Sequence, residues 1–180
     1  ERCVIDAIKH DITIYAAHTN MDVVANGVSG RMADKLDLHH RQILQPEGDP
    51  MDGNGFGIIG ELQQPVESMA FLQQVKEIFR CDRLRYTTPH TSSIQRVAVC
   101  GGAGASFFKQ TLARQADIYI SGDFKYHDFF LTENRIMIAD IGHYESEQFT
   151  KEIFYEILTK KISKFAVQFS EINTNPIKYL

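Results

Sequence analysis

From Arg96 to Lys160, short apolar runs and amphipathic stretches take turns, and this alternation restricts the fold of the chain more than any other feature. Arg96 to Cys100 reads as a strand, Ala105 to Arg114 as a helix, Asp117 to Ile120 as a strand and Lys125 to Leu131 as a short helix. Ile136 to Ile141 then reads as a strand and Gln148 to Lys160 as a helix. Strand and helix in regular succession argue an α/β layered fold with largely parallel pairing. Upstream, Ile12 to Ala17 (ITIYAA) is short, apolar and β-prone, and predicts a buried strand running into a polar turn. Val28, Met32 and Leu36 recur at four-residue steps, which predicts a short helix from Val28 to Leu38 closed by His39-His40-Arg41. Gln45 to Gly55 (QPEGDPMDGNG) is the strongest loop signal and separates two halves. Phe56 to Leu62 follows as a strand, and Phe71, Val75 and Phe79 predict a helix from about Pro65 to Phe79. A last strand is expected at Phe165 to Phe169.

Composition narrows the function classes. Of 180 residues, 43% are apolar and 23% charged, enough to bury a sizeable core. The net charge of −4 gives no general attraction to nucleic acid or an anionic membrane, so neither partner is expected. No apolar run reaches the roughly 18 residues that cross a bilayer. The three cysteines, Cys3, Cys81 and Cys100, are far apart and form no C-x-x-C pair, which fits a reducing, cytoplasmic setting.

Three strand ends carry polar clusters, and open α/β sheets place ligands at the carboxyl ends of their strands. The clusters are His18 to Asp22, Ser121 to Asp128 and Gly142 to Glu147. Each brings a His and a carboxylate within a few residues, the donor types that divalent metals take. His143 stands immediately before a helix and Glu147 follows four positions on, so both side chains project from one face. His18 and Asp22 repeat that spacing, and Asp123 and His127 add a third pair. The competing reading of any one pair is a satisfied polar contact at a helix start, the acid complementing the dipole. Cys100 to Ser106 (CGGAGAS) joins a strand to a helix and offers backbone N–H groups to a phosphate, but it matches neither the dinucleotide fingerprint nor the P-loop. A tight turn with close packing is the simpler account of its glycines. Cys100, at a strand end, reads as a buried, inert thiol.

Taken in order, HTNMD (18–22), GFGIIGEL (55–62), VAVCGGAG (97–104), SGDFKYHD (121–128) and GHYESE (142–147) resemble the Nif-three-like dinuclear-metal family, also called GTP cyclohydrolase 1 type 2 homologues. The resemblance runs from about residue 11 to 165 and rests on five motifs in series. It implies two intertwined α/β lobes with mixed, largely parallel sheets: residues 1–44 with about 132–180 in the first lobe, 55–131 in the second, and 45–54 a linker where longer relatives insert a domain. It also implies a homohexameric ring and two divalent ions per subunit, with Zn, Mn, Fe and Co not distinguished by such a donor set. Asp22 would ligate one metal, His143 the other, and Glu147 would bridge them. His18 would support the site, and Asp123 and His127 would line its cavity. The family's other ligands come from a His-His-Pro motif upstream of HTNMD. Only 17 residues precede His18 and none forms that motif; together with the start at Glu1 this leads us to expect a fragment.

Two divalent ions bring four positive charges against two from Asp22 and Glu147, so the implied centre stays positive. Such a centre activates water and attracts phosphates. The expected function is therefore metal-dependent hydrolysis of a nucleotide, GTP among them, or of another phosphate-bearing small molecule. The alternatives are a non-catalytic metal scaffold or regulatory interaction protein, and a plain phosphate-binding domain centred on Gly101 to Gly104.

Overall fold

The computed structural model describes residues 1–164 and 166–180, without the Pro50 side chain. Its helices are α1 (Arg2–Lys9), α2 (Thr19–Asp22), α3 (Val28–Lys35), α4 (Ser68–Ile78), α5 (Phe108–Ala113), α6 (His143–Glu147) and α7 (Thr150–Lys161). Its strands are β1 (His39–Pro46), β2 (Gly55–Glu67), β3 (Arg85–Tyr86), β4 (Ser93–Ala103), β5 (Ile118–Gly122) and β6 (Met137–Asp140). The six strands make one mixed sheet in the order β1-β2-β4-β5-β6-β3. The expected parallel pairing holds for β4 with β5 and β5 with β6, while β1–β2, β2–β4 and β3–β6 are antiparallel.

Strict alternation along the central strands explains why both faces of the sheet are covered. In β4, Val97 and Val99 face the layer holding Met32 and Ala33 of α3 and Phe71, Leu72 and Val75 of α4. Ala98 and Cys100 face the opposite layer, with Phe108 of α5 and Phe124. Ile118 and Ile120 of β5 and Met137 and Ala139 of β6 continue the first layer, and Tyr119 and Ile138 the second. The parallel register sets Val97 beside Ile118 and Ile118 beside Met137. Each such side chain, once fully buried, contributes about 1.5–3 kcal/mol.

Several expectations are corrected. Ile12 to Ala17 is not a buried strand: it has no regular structure, and Ile12, Ile14 and Tyr15 are exposed. Among the described residues no strand pairs with it, and an apolar run without a ladder has no means of satisfying its backbone as β. His39 and His40 do not close a helix. They open the edge strand β1, after α3 has ended at Lys35. Pro65 lies in β2, not in the first turn of a helix. The β1 ladder stops at Glu61, and the β4 ladder is irregular between Glu61 and Val66, which is where a strand tolerates a missing N–H. Glu67 starts α4 instead, its carboxylate accepting from the Met69 and Ala70 amides at 3.0 and 2.7 Å.

The helix expected over Gln148 to Lys160 is α7, which begins two residues later, at Thr150, and a separate short helix, α6, precedes it and ends at Glu147. Of the expected strand at Phe165 to Phe169, Phe165 lies outside the described residues, and 166–169 carry no strand. Residues 47–54, with a 3-10 turn at Pro50–Asp52, connect β1 and β2 as a hairpin closed by Pro46 opposite Gly55.

Candidate functional site

The carboxyl ends of β4, β5 and β6 meet where the polar clusters lie. Past β6, Gly142 stands at φ +92° as the first residue of the turn into α6, and a Cβ there would fall 2.2 Å from Glu145 Oε2. The turn thus requires glycine, and it delivers His143 at the start of α6. Asp140, the last residue of β6, fastens this corner. Its carboxylate accepts from the Gly142 amide at 3.0 Å, from the Phe124 amide at 3.2 Å and from Arg85. The same buried side chain therefore fixes the approach to both Asp123 and His143.

His143 is the hub of the site. Its Nδ1 lies 2.7 Å from Asp123 Oδ2, and its Nε2 lies 3.3 Å from Glu147 Oε1, one helical turn on. With the Nδ1 proton donated to Asp123, Nε2 keeps a lone pair for a ligand, the arrangement usual for a metal-bound His. Burial opposes protonation of His143, but the Asp123 hydrogen bond and the charges of Glu147, Asp123 and Asp22 together raise its pKa above the ordinary value.

Glu147 and Asp22 are both half-buried, and burial is the main cause that raises their pKa values. For Glu147 the nearby His143 and His18 act in the opposite sense, while Asp22 adds to the rise. For Asp22, His18 and His143 oppose it. Asp22 reaches this neighbourhood on the single turn α2, tied down by the Gly55 amide donating to Val23 O at 2.7 Å. His18, exposed, precedes that turn and contacts Thr19 Oγ1 through Nδ1 at 3.0 Å.

Gly102, near the end of β4, leaves a hollow beside these groups. Its φ is +64°, and a Cβ there would stand 2.5 Å from Glu147 Oε1 and 3.3 Å from His143 Cε1. Its amide donates to Ser146 Oγ at 2.8 Å, and its carbonyl accepts from Ser121 Oγ at 3.1 Å. The other glycines of CGGAGAS are spent on packing: a Cβ at Gly101 would meet Val28, and one at Gly104 would meet Ser121 and Tyr119. The segment thus runs from the end of β4 at Ala103 into a 3-10 turn at Ala105–Phe107, and the Gly101 and Gly102 amides already donate to Ser29 Oγ and Ser146 Oγ.

Charge interactions link Asp22 with His18 and His143, and Glu147 with His143, Asp22, His18 and Asp123. The structure leaves His127 exposed on the 3-10 helix Tyr126–Thr132, its ring against Tyr126 and Phe130. Among the described residues no hydrogen bond or ion pair links His127 to the hub. Nor do three or more His, Cys, Asp or Glu side chains there stand in a closed metal-binding group. Asp123 is more than a lining residue, because it orients His143. Ser146 and Asp140 escaped the sequence reading. Ser146 lies three residues after His143 and Asp140 three before it, but their roles depend on the Gly102 amide of β4 for Ser146 and on the Phe124 amide and Arg85 of β3 for Asp140.

Cys100 beside Tyr119 is buried, which pushes its thiol up to about 11, as expected of an inert cysteine. No helix among the described residues is long and apolar enough to cross a membrane.

Residues 1–176 match the family model described as Duf34/NIF3 (NGG1p interacting factor 3). The chain is 36% identical to the "GTP cyclohydrolase 1 type 2 homolog" of Streptococcus pneumoniae, over 98% of this chain and 68% of that protein. Among solved structures it is similar to Staphylococcus aureus hypothetical protein SA1388, with a TM-score of 0.86 and 24% identity over 98% of this chain and 72% of that one. The Bacillus cereus protein related to NIF3 gives a TM-score of 0.85 at 20% identity, covering 99% and 76%. At these identities the two structures establish a shared fold.

Proposed function

Because the chain belongs to the Duf34/NIF3 family, we propose that it forms the metal-binding part of a divalent-metal-dependent hydrolase with a dinuclear centre. The substrate class is a nucleotide, GTP first among those to test, or another phosphate-bearing small molecule. The observation that carries this reading is the His143 hub, oriented through Nδ1 by Asp123 and facing Glu147 through Nε2, with Asp22 near enough to perturb both.

The donor set fits hard or borderline divalent ions. Burial raises the cost of ionising both carboxylates, and Asp22 adds to it at Glu147; a cation stabilises their charged forms, and Gly102 keeps the space beside Glu147 and His143 free of a side chain. Asp22, His143 and Glu147 would hold the metals, with His18 as a further donor. The metal, when bound, supplies positive charge for a phosphate and an acidified water. Asp123 holds the His143 ring and its tautomer, and Asp140 and Ser146 hold the backbone that carries it.

Elemental analysis after loading with Zn or Mn tests the reading. Wild-type protein should retain metal, Asp22→Ala and Glu147→Ala should lose most of it, and Asp123→Ala should bind about 10- to 100-fold more weakly. Equal metal in wild type and Asp22→Ala would sink the proposal. The family description, which names an interacting factor, supports a second reading as a non-catalytic metal scaffold. Loaded protein that turns over neither GTP nor a phosphoester panel would favour that reading.

A further inference from the structure

Beside His143 and Glu147 lies a cavity of about 580 Å³, within the ~300–1,000 Å³ typical of small-molecule sites. α6 and the first turn of α7 form one side, and the segment 170–177 forms the other. That segment has no regular structure, but it is fixed at both ends. Phe169 stacks on Tyr155 with ring centroids 4.5 Å apart. Asn175 Nδ2 donates to the buried Glu145 at 3.0 Å, and beyond it Arg83 lies over the Tyr179 ring at 5.3 Å and donates to Leu180 O. The result is a strap along one side of the cavity.

The charges around this space are uneven. Glu147 is the one carboxylate on its wall and Lys151 the one Lys or Arg. Lys151 Nζ donates to Ser170 O at 3.5 Å, and among the described residues no carboxylate stands within ion-pair distance of it. The cations on the neighbouring α3–α7 face are paired: Arg31 with Glu152 and Glu156, and Lys35 with Glu152. Lys151 is thus a cation with donors to spare, in the same cavity as the proposed metal ligands. Ile172 and Ile177 of the strap give that cavity an apolar wall, and Thr174 adds a hydroxyl.

We propose that this cavity is the substrate subsite of the centre, with Lys151 holding the phosphate of the ligand and the strap receiving its organic part. The inference rests on the hydrolase reading for its setting. An ammonium is a compact charge with three donors, suited to a phosphate as a point contact. Ile172 is largely exposed, so it is free to cover a ligand.

Calorimetry with inorganic phosphate and with GTP tests this, on Zn-loaded and on EDTA-treated protein, with metal content measured alongside. Lys151→Gln should weaken both ligands about tenfold while metal content stays as in wild type. Lys151→Arg should restore most of the affinity, and Ile172→Ser should weaken GTP several-fold yet leave phosphate unchanged. Affinities for phosphate and GTP in Lys151→Gln within twofold of wild type, or no binding of either by wild type, would overturn the proposal. GTP binding unchanged in Ile172→Ser would remove the strap from it. Wild-type protein without metal would overturn the hydrolase reading alone, and the Lys151 comparison would then be decided on the EDTA-treated protein by the same limits.

Discussion

At Gly102 a single hydrogen in place of a side chain serves both backbone and site. The residue stands at φ +64°, where an L side chain costs about 1–2 kcal/mol, and its missing Cβ leaves the space occupied in part by Glu147 Oε1. We expect Gly102→Ala to lower stability by about 1–2 kcal/mol and to displace the Glu147 carboxylate, weakening metal retention as Glu147→Ala does. Thermal unfolding and metal analysis of the one variant check both. A variant as stable and as metal-retentive as wild type would show that the hollow is incidental. The sequence placed a glycine here and suggested a turn; that it faces Glu147 was not legible, because 45 positions separate the two residues along the chain.

Among the elements, α4 shows most plainly how a local signal was misread. The apolar spacing of Phe71, Val75 and Phe79 predicts the helix, but Pro65 belongs to β2 and the helix starts at Ser68. The cap is Glu67, whose carboxylate accepts from two amides, and those bonds lower its pKa below the usual 4.5. A carboxylate with a depressed folded-state value contributes stability that is present above its unfolded pKa and lost as pH falls through the folded one. Replacing Glu67 with Gln should therefore lower Tm at pH 7, and the gap to wild type should narrow as pH drops below about 4.5. A gap that is constant from pH 7 to pH 3 would rule out the ionised cap.

For the molecule as a whole, two apolar layers share one sheet, and each contains a cysteine. Cys81 lies in the layer of α3 and α4, and Cys100 in the layer of α5. Burial pushes their thiols up to about 12 and about 11, while Cys3 is exposed. A thiol reagent at neutral pH should thus modify Cys3 alone in the native protein. Through a urea transition, Cys81 and Cys100 should become reactive together, since their layers rest on opposite faces of the same strands. Separate midpoints for the two would mean that the layers unfold independently.

What the sequence by itself determined was whatever depends on near neighbours in the chain. Alternation gave the strand and helix succession from Arg96 onward, and spacing put His143 and Glu147 on one face, because side-chain direction repeats with a fixed period within an element. Five motifs in series were enough to identify the family. Only the tertiary structure decided that Asp123 orients His143, that Asp140 ties three strand ends together and that Ile12 to Ala17 stays outside the sheet. Each of those depends on which segments the folded chain brings side by side. Hydrogen bonding and burial act across such contacts irrespective of sequence separation, and local periodicity carries no record of them.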